Sequence, residues 1–372
     1  MEYFFVFGRN PTLSYAELIS YLKSHEIAYE ITSFNQNLLI LSVAEGIKFN
    51  IQDFGGILKI GKANRVKSQK EMDKIIDDYF VIEEKFNYSV ISNSDDEMIA
   101  DIELKLRDKF RKEKLKAQVR HNNGGRIKMQ EGEDFELSKS DVEFFYYEDE
   151  KTTYAGWIEQ KYSYKDIKER DMQKPIRREE LAISPRLSKI LINLSQVKEG
   201  ELLVDPFCGI GVIVQEAVLK GINCFGVDKD ERAIEGARKN MAWLSSKFKF
   251  TGHARFFVGN SAKMPPVKIY GVATEPALGV LVRKKILDAA AGNYLKEFET
   301  LIIPILKKIK NLKTPDAKIV LTMPFIRKYS ASIYRITTAT GLKVYELDEK
   351  VPMPIKEVRE KQYVGREILI LV

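Results

Sequence analysis

The period of apolar and polar positions changes several times along the chain, and each change marks a predicted element. Tyr3 to Phe7 is an unbroken apolar run of strand length. Asn10-Pro11-Thr12-Leu13-Ser14 then has the composition of a turn and helix cap, and Ala16, Ile19, Tyr21 and Leu22 recur at helical spacing. Ile27 to Phe34 alternates as a strand, and Leu38 to Val43 follows as another after Asn35-Gln36-Asn37. A helical segment near Phe49 to Leu58 and a strand from Leu58 to Val66 would complete a small α+β unit of ferredoxin-like order. Farther on, Phe86 to Ser92 reads as a strand and Asp95 to Lys116 as one long charged helix with Leu104, Leu106, Phe110 and Leu115 along its apolar stripe. Asp141 to Tyr147 and Thr153 to Glu159 read as paired strands, and Trp157 is predicted to be core.

Tyr162 to Glu180 breaks the periodicity and gathers Lys165, Lys168, Arg170, Lys174, Arg177 and Arg178, the signature of a basic linker. Ser184-Pro185 then caps a helix with Leu187, Ile190, Leu191 and Leu194 on one side. From there strand and helix patterns alternate through Ile319 to Met323, and the chain ends with Leu342 to Glu346 and a strand from Arg366 to Val372. Repeated strand and helix units predict a mostly parallel, doubly wound α/β sheet.

Within that half one stretch carries chemistry. Leu202 to Val204 is a short apolar strand that ends in Asp205, and Gly209 and Gly211 open a turn into the helical pattern Val212 to Lys220. Ligands of open α/β sheets bind at the carboxyl ends of strands, where glycines let the backbone approach a nucleoside. A plain turn before a helix has the same two glycines, so the next strand matters. It runs from Gly221 to Asp228 and places an acid about 20 residues beyond the glycine loop, where a ribose hydroxyl would be held. Two further strand ends, at Gly259-Asn260-Ser261-Ala262 and Glu275-Pro276-Ala277-Leu278-Gly279, add polar residues to the same predicted edge.

Asp205-Pro206-Phe207-Cys208-Gly209-Ile210-Gly211 resembles the first motif of class I S-adenosylmethionine-dependent methyltransferases, in the form used by enzymes that N-methylate nucleic-acid bases. The closer resemblance is to tRNA guanine-N2 methyltransferases with a THUMP domain, which modify the guanosine at tRNA position ten. It rests also on Arg170-Asp171 through Ser184-Pro185-Arg186-Leu187, on the motif after the fourth strand, and more loosely on the first half. The resemblance implies a Rossmann-like methyltransferase domain over residues 185–372, preceded by a ferredoxin-like domain (1–68), a THUMP domain (69–161) and the basic linker (162–184). It implies S-adenosylmethionine as cofactor, with Pro185 near its methionine part, Asp205, Phe207, Gly209 and Gly211 in the loop beneath it, Asp228 at the ribose, Asn260 at the adenine, and Lys229 and Ser261 as further cofactor contacts. An Asx turn is an equal reading of Asn260.

The family's fourth-strand motif supplies a carboxylate or carboxamide that accepts the protons of the target amine, two prolines, and an aromatic that stacks on the extruded base. Here Glu275 keeps the carboxylate but adds a methylene, Pro276 is retained, Ala277 replaces the second proline, and Leu278 replaces the aromatic. Glu275, Pro276 and Leu278 are the catalytic candidates. An RNA-binding homologue with lost or reduced transfer, and an N-methyltransferase for another RNA or DNA base, stay open as alternatives.

Composition narrows the setting. The 372 residues exceed one core and carry 60 Lys plus Arg against 53 Asp plus Glu, a net charge of +7 that permits an RNA partner without requiring one. The cations around the long charged helix and the turn at Asn122-Asn123-Gly124-Gly125 are a solvated face or a phosphate grip. On the second reading Lys109, Lys112, Lys116, Arg120, Arg126 and Lys128, with Arg170, Arg177 and Arg178 of the linker, contact tRNA. Two cysteines argue against a disulfide framework or a zinc site. The lack of a long apolar run or basic leader points to a cytoplasmic protein without a membrane or metal partner, expected to be a monomer.

Overall fold

The computed structural model describes residues 1–120, 140–177, 183–276, 288–358 and 364–372. Two compact units divide the chain: Met1–Pro11, Ala28–Gln52 and Ile57–Tyr162 form the first, and Thr12–Ile27, Asp53–Gly56 and Ser163–Val372 the second. Helix α1 (Pro11–Ser24) is therefore counted with the second unit for nearly all its length.

In the first unit, β1 (Glu2–Phe7), β2 (Tyr29–Asn35), β3 (Leu38–Val43), β4 (Ile57–Val66), β5 (Lys85–Ser92), β6 (Lys116–Val119), β7 (Val142–Glu148) and β8 (Thr153–Lys161) form one sheet. Its order is β2-β3-β1-β4-β8-β7-β5-β6. The sheet runs without interruption across the 68/69 boundary drawn from the sequence, because β4 pairs antiparallel with β8. Helices α2 (Gln69–Asp77) and α3 (Asp96–Lys112) bury Met72, Ile76, Ile102, Leu106 and Phe110 against Phe86, Tyr88, Phe144 and Trp157. Trp157 is core, stacked on Tyr79 with its indole N–H donating to the Ile75 carbonyl at 3.0 Å.

Two predicted helices are shorter than the pattern suggests. The long charged helix stops at Lys112: Lys114 takes a left-handed φ of +59°, the Leu115 amide returns to the Phe110 carbonyl, and the chain continues as β6. Near Phe49 to Leu58 only a 3-10 turn forms, Ile51–Asp53, and Gly55 and Gly56 follow it.

The second unit is the doubly wound α/β domain. Its strands β9 (Leu202–Asp205), β10 (Asn223–Asp228), β11 (Ala254–Val258), β12 (Ile269–Thr274), β13 (Lys313–Ile326), β15 (Ile355–Glu357) and β16 (Val364–Leu371) run in the order β11-β10-β9-β12-β13-β16-β15, and the two-residue β14 (Tyr329–Ser330) pairs with β13. The first five strands are parallel, while β16 runs antiparallel between β13 and β15. The predicted element at Leu342 to Glu346 is only a single bridge, Val344 to Leu371. Helices α4 (Tyr164–Met172), α5 (Pro185–Leu194), α6 (Val212–Leu219), α7 (Glu231–Lys247), α8 (Asp288–Lys310) and α9 (Ile333–Thr340) belong to the same unit. Strands buried on both faces explain the continuous apolar runs of β9 and β12. On one face Val204, Val272, Ile319 and Leu321 pack with Phe298, Ile302 and Ile305 of α8.

Buried charge fixes two parts of this unit that local patterns leave undefined. Glu17 of α1 is fully buried; its two oxygens accept the amides of Gly55 and Gly56 at 2.7 Å each and the Asn193 carboxamide at 2.8 Å. That network ties residues 53–56 and α1 to α5. The predicted linker is likewise built in: its residues 164–172 form α4, and Arg170 pairs inside the protein with Glu216 of α6, Nε to Oε1 at 2.7 Å. Asn240 of α7 then exchanges hydrogen bonds with the backbone of Ile176.

Candidate functional site

The apolar run of β9 stops at Asp205, which is 1% exposed. Its Oδ1 accepts the Thr274 hydroxyl from the end of β12 at 2.7 Å and the Phe207 amide at 3.2 Å. Burial pushes this carboxyl up to about 7; the two hydrogen bonds oppose the shift, and the carboxylates of Asp228 and Glu275 add to it. Asp205 is thus the joint between the glycine loop and the fourth-strand motif.

The loop itself is pinned from its neighbours. The Cys208 amide donates to the Val227 carbonyl at 3.0 Å, and the Gly209 amide donates to Asp228 Oδ2 at 2.9 Å. The hydroxyl of Ser261, itself buried, donates to the Pro206 carbonyl. Gly209 and Gly211 both sit in the left-handed region, φ +52° and +82°, where glycine carries no steric cost. Their surroundings differ. A Cβ on Gly211 would lie 3.2 Å from the Ala237 Cβ of α7, so this glycine permits close packing; a Cβ on Gly209 would meet nothing within 4 Å among the described residues. Space is therefore open above Gly209, next to an acid.

That acid, Asp228, is half-buried at the end of β10 and also accepts the Asp230 amide on Oδ1 at 2.9 Å. Each of its oxygens keeps a lone-pair position for a further donor. Lys229 is exposed beside it. Asn260 is exposed, and its Oδ1 accepts the Ala262 amide at 2.9 Å, forming the Asx turn that was one of its two readings. Pro185 is buried at the first position of α5, behind Ser184, whose hydroxyl accepts the Leu187 amide at 3.2 Å. Phe207 is half-buried against the apolar cluster under the sheet. Cys208 and Cys224 are buried and burial pushes both thiols up, so neither is a ready nucleophile.

At the end of β12, Glu275 and Pro276 complete the described part of the edge, while Leu278 lies outside the described residues. Glu275 Oε1 accepts from Arg366 Nε of β16 at 2.6 Å, and Oε2 is buried with no hydrogen-bond partner among the described residues. Burial raises the carboxyl and Arg366 opposes that shift. Sequence reading did not find Arg366, because nothing local links residues 91 positions apart.

The cationic candidates separate. Lys112, Lys116 and Arg120 are exposed at the end of α3 and along the edge strand β6, and Arg177 is exposed in the second unit. Lys109 is 4% exposed and its ammonium donates to the Asp77 carbonyl and to Glu113, so it joins α3 to α2 and does not face solvent. Arg170 is buried on Glu216. Arg126, Lys128 and Arg178 lie outside the described residues. Among the described residues no helix is long and apolar enough to cross a membrane, and no group of His, Cys, Asp and Glu is placed to hold a metal ion.

The strand order, the glycine loop and the acid one strand over make this an α/β, Rossmann-like domain with the class I methyltransferase fold. Residues 175–276 match the family model UPF0020, described as the RMKL-like methyltransferase domain. The tRNA (guanine(10)-N2)-dimethyltransferase of Methanothermobacter thermautotrophicus is 47% identical over 60 residues, 16% of this chain and 18% of that protein. The protein of that name from Methanocaldococcus jannaschii is 31% identical over 121 residues, 32% and 33% of the two chains. The matched stretches thus span a third or less of these two relatives. The whole fold is similar to the crystal structure of TrmN from Thermus thermophilus, with a TM-score of 0.55 at 13% identity, covering 100% of this chain and 99% of that one.

Proposed function

We propose that this chain transfers a methyl group from S-adenosylmethionine to the exocyclic N2 of a guanosine in tRNA, at position ten. The observation that carries the proposal is the pairing, on one sheet edge and among the described residues, of an open glycine floor with a buried carboxylate whose second oxygen has no hydrogen-bond partner. The names of the relatives support the choice of tRNA and of the guanine amine.

Gly209, Gly211 and Phe207 form the floor under the cofactor, with Pro185 at its methionine end. Asp228 takes the ribose hydroxyls, helped by Lys229, and Asn260 and Ser261 border the adenine. When bound, S-adenosylmethionine supplies the electrophilic methyl: the amine lone pair forms the new N–C bond while the S–C electrons stay on sulfur. An exocyclic guanine amine is a weak nucleophile because its lone pair is delocalised into the ring. Glu275 Oε2, accepting one N–H, localises that lone pair and takes the proton that nitrogen must shed, passing it on to water. Pro276, buried beside it, gives the carboxylate a rigid backbone. Lys112, Lys116 and Arg120 of the first unit, read as the THUMP domain, hold the tRNA backbone, and Arg177 adds a further cation. Such contacts position RNA without reading its sequence.

Glu275→Gln tests the assignment, since it keeps the shape and removes the base. Labelled cofactor should bind as it does to the wild type while transfer to tRNA falls by about 10²–10⁴-fold. Undiminished transfer by this variant would remove Glu275 from the mechanism.

A further inference from the structure

Glu275 differs from the shorter acceptor of the resembled motif by one methylene and so by one more rotatable bond. A long carboxylate that has to meet an amine within a few tenths of an ångström needs something to hold it, because about 1 Å of misplacement can cost on the order of 10²-fold in rate. The sheet provides a holder. In the order β12-β13-β16, Arg366 stands two strands from Glu275, opposite Pro324 of β13 on one side and Glu357 of β15 on the other. Its side chain spans β13 and its Nε meets Glu275 Oε1 at 2.6 Å. The pair is secluded, with side chains 21% and 10% exposed. Among the described residues one carboxylate oxygen is engaged, and the other is buried and unpartnered.

We infer that Arg366 is a positioning residue for methyl transfer: it fixes the rotamer of Glu275 and keeps it ionised, leaving Oε2 as the oxygen offered to the acceptor amine. This rests on the methyl-transfer reading above. A neutral partner would fix the rotamer equally well, but a secluded carboxylate tends to take up a proton, and a protonated one cannot accept the proton that nitrogen loses. Among the described residues the charges around it are few. Asp205 on β9 adds negative charge, Pro324 and Phe325 of β13 add none, and Lys356 and Glu357 of β15 flank Arg366 with opposite signs. Among the described residues Arg366 is thus the cation paired directly with Glu275. An arginine from a distant strand makes up for the longer side chain, so a carboxylate one methylene too long still presents one defined oxygen.

The test uses the full chain and the variants Arg366→Gln and Arg366→Lys, with cofactor affinity, kcat and KM for tRNA measured across pH. Arg366→Gln should lower kcat by about 10- to 100-fold and move the acidic limb of the kcat profile up by about one pH unit. Cofactor affinity should stay within about twofold, and Arg366→Lys should restore part of kcat and return the limb, because it keeps the charge. Retained cofactor affinity shows that each variant is folded. In parallel, isotope-labelled glutamate lets the resonance lost in Glu275→Gln be titrated by NMR, and Arg366→Gln should raise its midpoint whether or not turnover occurs. An unchanged midpoint and pH limb would overturn the inference, as would a change confined to KM for tRNA, which would make Arg366 an RNA contact. A raised midpoint in a wild-type protein that transfers no methyl group would sustain the ion pair and count against the reaction itself.

Discussion

Replacing Asp205 with Asn isolates the electrostatics of the glycine-loop edge of the sheet. Both hydrogen bonds to the side chain, from Thr274 and from the Phe207 amide, end on Oδ1, so an asparagine carbonyl in that place keeps both. What changes is the charge. Burial lifts the carboxyl from its ordinary value of 3.8 to about 7, and the folded protein therefore holds a proton that the unfolded chain has released across that window. Wild-type stability falls as pH rises through it; the penalty is absent below the unfolded value and complete above the folded one. Fully developed, a shift of this size opposes folding by about 4 kcal/mol, at about 1.4 kcal/mol per pH unit. Near about pH 5 only a little over one unit has been crossed, and the penalty there is about 2 kcal/mol. The stability of Asp205→Asn relative to wild type should therefore grow by about 2.5 kcal/mol between about pH 5 and about pH 8. In thermal unfolding that is a widening of roughly 5 to 10 °C in the Tm difference. Comparing the two proteins at each pH cancels every other titrating group. A difference that is flat across the range, or that shrinks as pH rises, would refute the reasoning.

Three further outcomes follow from the same structure. Gly211→Ala forces a side chain into a left-handed backbone and against Ala237, and should cost about 1–2 kcal/mol in urea unfolding, with weaker cofactor binding. Arg170→Met leaves Glu216 buried without its partner and should destabilise the chain by about 3–5 kcal/mol, most of which the double variant with Glu216→Met recovers; equal costs for the single and double variants would contradict that account. In filter-binding with tRNA, Lys112→Gln, Lys116→Gln and Arg120→Gln should each reduce the slope of log Kd against log salt by about one, whereas Lys109→Gln should leave it unchanged because its ammonium is buried.

What could be read from the sequence was local. Leu202 to Gly211 announces itself because an apolar strand, an acid and two left-handed glycines lie within one short stretch, and Asp228 follows at the end of the next strand. The strand and helix alternation of the second half likewise fixes its class, since each repeat predicts its own packing face. Features that depend on distant partners were not legible. Arg366 meets Glu275 only because β16 enters antiparallel beside β13. Glu17 looks like one more polar position on a helix, yet it is buried on two glycine amides. The cations at 162–184 suggest a solvated connector because composition does not reveal that Arg170 has Glu216 waiting on α6. Lys109 sits among cations most of which are exposed, and only the neighbouring α2 shows that it is enclosed. In each case the missing information is a long-range ion pair or hydrogen bond, which leaves no period in the sequence.

The central claim is put most directly to the test by nucleoside analysis of the product. The purified 372-residue chain, given saturating S-adenosylmethionine and unmodified tRNA, should produce N2-methylated guanosine by mass spectrometry, lost when the guanosine at position ten is replaced. No methylated guanosine from a protein that binds the cofactor, or methylation that survives the replacement, would contradict it.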